Sequence, residues 1–407
     1  MMDEIKYMSE MMNFPGVLYG DEVVMEKIAI AKKYNKPIDG HAPGLKGDEA
    51  RKYIEAGITT DHECFTMEEA LDKIKYGMKI QIREGSAARN FEALVDLLGT
   101  HPDKVLFCSD DKHPNDLAKG HINQLVMRAI EKGYDPLLVL RSAILNPIDH
   151  YNLDVGLLQP GDDADFIVVD DLTNFNVLST FIRGIEVAKN GDTLIDPVQE
   201  SGPNAFHAED INVEDIAVPA ASEKIKVMKA MDGQLITEKV VTGPKTSSGN
   251  VVTDVDNDVL KLVVLNRYNK ARPAVAFINN FNLKRGAIAS TVAHDSHNII
   301  AVGCTDDEIV RAINLLVDAR GGISLVDGKE GHVLPLPVAG LMSAKDGFEI
   351  AGAYDKMDHL AKGLGSKLRA PYMTLSFMAL LVIPELKLSD KGLFDGLKFE
   401  LTSLFLH

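Results

Sequence analysis

Residues 36–44 (KPIDGHAPG), 57–64 (GITTDHEC), 78–86 (MKIQIREGS) and 104–111 (KVLFCSDD) decide the fold. Each is a short β-like run that ends in side chains able to bind metal or move protons. Between them lie helical patterns such as 47–57 (GDEARKYIEAG) and 65–77 (FTMEEALDKIKYG), with apolar residues at three- and four-residue spacing and a glycine at the end. Strand alternating with helix is the signature of βα units and a parallel sheet. Each repeat is about 20 to 30 residues, the size obtained when ~250 residues are shared among eight units, which favours a (β/α) barrel over a doubly wound sheet.

In such a barrel the working residues sit at the carboxyl ends of the strands, because strand interiors are filled by packed side chains. His41, His62 and Asp110 fall there, and Glu10 in 9–17 (SEMMNFPGV) occupies what would be the preceding strand end. Imidazole nitrogens and carboxylate oxygens suit zinc, iron or manganese, and an open coordination position leaves room for a water whose pKa falls from 15.7 towards about 7. Asp110 would then carry the proton that the attacking water gives up. Taken singly, each has a plainer reading. A lone histidine is usually a hydrogen-bonded structural residue, Asp110 with Asp111 could be a helix cap, and Glu10 could be a solvated terminal residue. Joint placement is what argues for a site. Arg83, Glu84 and Ser86 at the end of 78–86 could hydrogen-bond a substrate, although an Arg–Glu pair is also an ordinary surface ion pair. Asp111 and His113 are further substrate-binding candidates, and Gly44 and Gly47 let the loop after His41 bend.

Composition narrows the partners. The 407 residues allow two or three domains, and 45% hydrophobic with 25% charged residues is the balance of a globular chain. A net charge of −17 repels nucleic acid and anionic lipid. Three cysteines without a CxxC pair argue against a disulfide framework or a thiolate zinc site, so the cytoplasm is the expected compartment. The N-terminal residues show no secretory signal, and the apolar run 372–383 is shorter than the ~20 residues of a membrane span, so it is expected to be a buried element.

Beyond His150 the texture changes. Residues 156–171 (GLLQPGDDADFIVVDD) and 175–194 (FNVLSTFIRGIEVAKNGDTL) fit two hairpins with glycine turns. From about residue 221 a second α/β pattern begins, with 260–268 (LKLVVLNRY) as a strand and 306–321 (DDEIVRAINLLVDARG) as a helix.

The phrases 10–17 (EMMNFPGV), 39–45 (DGHAPGL), 57–63 (GITTDHE), 83–90 (REGSAARN), 156–171 and 291–303 (TVAHDSHNIIAVG) together resemble the amidohydrolase superfamily and, within it, the adenine deaminases. The resemblance implies a partial TIM-like (β/α) barrel, strands four to eight, over residues 1–153. It also implies a remnant of a small β-sandwich over 154–205 and a C-terminal α/β domain over 221–407. Glu10 then matches a carboxylate bridging two metals, His41 and His62 match ligands of the more exposed metal, and Asp110 matches the ligand of the buried metal that shuttles protons. The implied cofactor is a binuclear divalent metal, manganese or iron, with zinc as a further option. The implied reaction is hydrolytic deamination of adenine to hypoxanthine and ammonia. Adenine and water are then the partners, without nucleic acid or membrane, and a homo-oligomer is expected. One departure concerns the superfamily's HxH pair, which is not found upstream of Glu10, so three of eight units are expected to be missing and the activity impaired. His294 and His297 are no substitute. An i, i+3 pair on a turn is usually structural, with pocket closure or an accessory metal as the other reading. Another amidohydrolase activity on a heterocycle or cyclic amide, or a noncatalytic remnant, are the competing expectations.

Overall fold

The computed structural model describes residues 4–86, 88–196 and 202–406. They form two compact units. Of the described residues, the first comprises 4–85, 89–112 and 119–196, and the second comprises 86, 88, 113–118 and 202–406.

The first unit opens with five parallel strands: β1 (Met8–Met11), β2 (Ile38–Gly40), β3 (Thr60–Asp61), β4 (Lys79–Arg83) and β5 (Val105–Cys108). β1 pairs with β2, and β3 pairs with β4 and then β5, while Thr59 N donates to Ile38 O (2.8 Å) across the gap between the two sets. Sequential neighbours in space are what a barrel wall requires, whereas a doubly wound sheet reverses its order. The fold is thus α/β and barrel-like, as the strand–helix alternation indicates.

Local chemistry fixes the intervening helices. Thr66 caps Met67–Lys75 by accepting from Glu69 N at 3.2 Å, and Asp21 caps Glu22–Lys33 by accepting from Val24 N at 3.0 Å. Gly57 and Gly77, at φ +118 and +99, end their helices in the left-handed region, as the sequence pattern anticipates. Along β4 the alternation is chemical. Ile80 and Ile82 join a buried cluster with Phe91, Leu94, Val105 and Phe107, while Gln81 and Arg83 face the other way. On that inner side Gln81 donates to Tyr151 (2.9 Å), and Tyr151 and Thr60 both donate to Asp39 (2.9 and 2.7 Å). The strand interior is therefore polar and largely hydrogen-bonded, with Gln81 Oε1 and Arg83 Nε buried without a partner.

Residues 156–194 form an antiparallel sheet of β6 (Phe166–Val169), β7 (Val177–Ile182), β8 (Ile185–Lys189) and β9 (Asp192–Thr193). Its turns are Arg183-Gly184 and Asn190-Gly191, all four residues at positive φ, the geometry that tight hairpins need. Residues 197–201, inside the stretch read as a sandwich remnant, lie outside the described residues.

The second unit holds an eight-stranded sheet. Its strands are β10 (Ile225–Ala230), β11 (Thr237–Thr242), β14 (Leu260–Leu265), β15 (Ala274–Asn279), β16 (Ala287–Ser290), β17 (Ile299–Gly303), β18 (Gly322–Asp327) and β19 (Glu330–Pro335). The short pair β12 (Thr246–Ser247) and β13 (Asn250–Val251) stands apart. Spatial order is 11-10-15-14-17-16-18-19, antiparallel everywhere except between β10 and β15. The strand expected over 260–268 is present as Leu260–Leu265, and the helix expected over 306–321 as Asp306–Ala319. Pairing is where the α/β expectation is corrected: most neighbouring strands lack the crossover helix that parallel pairing needs, so the sheet is antiparallel. The helix Asp306–Ala319 buries Ile309, Ile313 and Leu316 against Val263, Ala289 and Ala301. The run 372–383 is indeed largely buried, its helix Pro371–Phe377 completely so. Among the described residues no helix is long and apolar enough to cross a membrane.

Candidate metal and catalytic site

At the carboxyl end of the parallel strands, Glu10, His41 and His62 converge. Glu10 Oε2 lies 3.1 Å from His41 Nδ1 and 3.0 Å from His62 Nε2, and the two rings meet edge to face at 5.2 Å. Both imidazoles are buried. Tyr53, fully buried on the helix Gly47–Glu55, donates to Met11 O (2.7 Å) and accepts from His41 N (3.1 Å). A single phenol therefore ties the end of β1 to the start of the His41 loop. Gly44 and Gly47, at φ +74 and +63, turn that loop where a β-carbon would be strained.

Glu63 escaped the sequence reading. It is fully buried, and its Oε1 lies 3.4 Å from His41 Nδ1 and 3.6 Å from His62 Nε2. It would have pointed away from His62 had the strand continued, but β3 stops at Asp61. There Glu63 N donates to Asp61 Oδ1 (2.8 Å) and the chain turns, bringing both side chains to one side. Asn90 fastens this turn, donating to His62 O (3.0 Å) and Cys64 O (3.1 Å) and accepting from Arg83 N (2.8 Å).

Arg83 is 1% exposed. Its guanidinium grips Glu63 through Nη1 (2.5 Å) and Nη2 (2.8 Å), and Nη1 also donates to Asp110 Oδ2. Burial pulls the Arg83 pKa down, but the two carboxylates more than offset it, so it stays charged. Glu84, its sequence neighbour, points to the other face, where Arg128 donates to it at 2.6 Å. The structure thus separates Arg83 from Glu84 and pairs Arg83 with Glu63 and Asp110. Asp110 adopts φ +57, and Asp111 beside it is exposed. Ser86 and His113 fall in the second compact unit, where Ser86 donates to Asp116 (2.7 Å) and accepts from His113 N (2.9 Å), and His113 Nε2 lies 3.0 Å from the Tyr354 hydroxyl. His294 and His297 also lie in that unit, with rings 5.8 Å apart.

The donor set fits a divalent cation. Glu10, His41 and His62 form one group of potential ligand atoms within 4.8 Å of one another, and His62, Glu63 and Asp110 form another. His41 Nε2 is buried without a hydrogen-bond partner. The cluster holds three carboxylates and one guanidinium, and His62 responds. For His62, burial alone would lower the pKa, yet the bond to Glu10 and the charges of Glu63 and Asp110 push it up to about 9. For Glu10, burial raises the pKa, but the two histidines hold it below the usual carboxylate range. In this state a proton on His62 offsets part of the negative charge, and a metal ion would displace it.

Residues 1–187 match the amidohydrolase family, and residues 234–400 match the adenine deaminase C-terminal domain. This pairing defines the class as an amidohydrolase-type enzyme with an added C-terminal domain, and the family implies a divalent metal. An adenine deaminase of Sulfurovum is 57% identical over 399 residues, 98% of this chain and 73% of its own length. Those of Salinibacter ruber and Methanosarcina barkeri are 53% and 52% identical, over 74% and 75% of their lengths. The chain belongs to the adenine deaminase family, and it spans about three quarters of the length of these relatives.

Proposed function

We propose that the chain catalyses hydrolytic deamination of adenine to hypoxanthine and ammonia. The observation that carries this reading is the 57% identity to an adenine deaminase across 98% of the chain, together with the acid–imidazole cluster that lies inside the segment 1–187 matched by the amidohydrolase family. The reading takes the five parallel strands as strands four to eight of a (β/α) barrel. Glu10, His41, His62 and Asp110 are the residues that would hold a binuclear centre of manganese or iron, with Glu63 beside them. A divalent cation held there would supply Lewis acidity, lowering the pKa of a water from 15.7 towards about 7.

The chain's own residues do the rest. Asp110 takes a proton from the attacking water and returns it to the amino nitrogen leaving C6. The C6–O bond forms first, giving a tetrahedral carbon, and its collapse breaks the C6–N bond. One proton of the water ends on the departing ammonia and the other on the ring. Arg83 fixes the Asp110 carboxylate for this exchange, and Glu63 holds Arg83 in register. Arg83, Ser86, Asp111 and His113 are the candidates for contacting the purine, whereas Glu84, turned to the other face, is held by Arg128; Ser86 and His113 are held by Asp116 and Tyr354.

The test is ammonia release and hypoxanthine absorbance with purified protein loaded with Mn(II), against a panel of other amino-heterocycles and cyclic amides. Turnover of adenine above the panel supports the reading. Turnover of another ring but not of adenine overturns the substrate assignment.

A further inference from the structure

Arg267 is buried to 3% exposure in the second unit, yet two of its three guanidinium nitrogens, Nε and Nη1, have no hydrogen-bond partner. Nη2 donates to the Tyr268 hydroxyl at 2.9 Å, and the guanidinium carbon sits 4.7 Å from the Tyr268 ring centre. Tyr268 in turn donates to Ser296 O (2.9 Å), and Arg267 N donates to Asn298 Oδ1 (3.2 Å). Beside them His297 presents Nδ1, also buried and without a partner. Its pKa is lowered by burial first and then by the charges of His294 and Arg267, so the ring adds no positive charge at neutral pH.

Topology gathers these groups. β14 runs antiparallel to β17, with Leu265 opposite Ile299, so the turn Asn266–Tyr268 lies beside the loop that ends at Asn298. β16 ends and β18 begins at the same edge, with Ser290 opposite Ile323. Gly340 closes the wall: a β-carbon there would stand 1.8 Å from Arg267 Nη1, at a backbone φ of +69. His297 and Ala339 also hold left-handed backbone, at φ +51 and +54. Unfavourable conformations of this kind persist where the surroundings enforce them, and they cluster at ligand sites.

A guanidinium cannot shed its proton, and an uncompensated buried charge is among the costliest features a fold can carry. The other fully buried arginine, Arg83, has two carboxylates. Arg267 has a phenol. We infer that this end of the β14–β17–β16–β18 sheet is a binding site for a small oxyanion, a carboxylate or a phosphate, which accepts from Arg267 with His297 as a second polar contact. The site is separate from the Glu10–His41–His62 cluster in residues and in compact unit, and it needs no divalent metal.

The experiment is titration of the full chain with inorganic phosphate and, separately, acetate, against chloride at matched ionic strength, read by calorimetry and by the melting temperature. Saturable binding of either oxyanion that weakens at least tenfold in Arg267→Met and less in His297→Gln is expected. The arm that saturates at lower concentration identifies the chemistry. Failure of both to bind above chloride, or binding unchanged in Arg267→Met, overturns the proposal. Should Arg267→Met not fold, wild-type crystals soaked in selenate decide it. An anomalous peak against Arg267 supports the site, and an empty position there overturns it. Neither readout uses adenine turnover, so failure here leaves the proposed deaminase activity untouched.

Discussion

Replacing Arg83 by methionine removes a guanidinium that compensates two carboxylates while keeping much of the side-chain bulk. Glu63 is fully buried and bound through both its oxygens, so the substitution strands a charge that has no access to water. Breaking a buried pair in this way costs about 3–5 kcal/mol, against at most about 1 kcal/mol for an exposed pair of the kind that Arg83 and Glu84 would form. For a unit of this size that corresponds to a fall in melting temperature of roughly 10 °C. The assay is thermal unfolding by far-ultraviolet circular dichroism after chelation, repeated in excess Mn(II). Because the loss is electrostatic, the metal should recover part of it by supplying the missing positive charge. A shift below about 2 °C, or one that Mn(II) leaves unchanged, would refute the reasoning.

Tyr53→Phe leaves Met11 O and His41 N without their shared hydroxyl, which should cost about 1–3 kcal/mol and weaken Mn(II) binding, measured by denaturation and metal titration. Glu63→Gln keeps the shape but removes a charge next to both imidazoles, so metal affinity should fall about 10- to 100-fold, read by competition with a chromophoric chelator. Lys387 provides a pH test in the second unit. Burial without a carboxylate partner pulls its pKa from 10.5 to about 7. Between those values the unfolded chain binds the extra proton, so stability rises with pH. The gain from pH 7 to 9 should be about 2 kcal/mol, and Lys387→Met should flatten it in urea titrations at the two pH values.

What the sequence disclosed followed from periodicity. Strand runs that end in His41, His62 and Asp110, separated by helices that close on Gly57 and Gly77, are local patterns, and local patterns survive folding. Glu63 was hidden because alternation fails one residue past a strand end, where an Asx-type turn at Asp61 redirects the chain. The partners of Arg83 were hidden because Glu63 and Asp110 are 20 and 27 residues away, while the tempting neighbour Glu84 faces the opposite side. In the second unit, strands such as Leu260–Leu265 were legible from their composition. Their antiparallel pairing was not, since the direction of a neighbour is set by the connections rather than by the strand itself.

Metal retention tests the central claim most directly. After chelation, reloading with Mn(II) and exhaustive dialysis, the wild-type chain should hold divalent metal by mass spectrometric elemental analysis, and His62→Ala should hold substantially less at unchanged helix content. Wild-type protein that retains none, or a His62→Ala variant that retains as much, would contradict the assignment of Glu10, His41 and His62 to a metal centre.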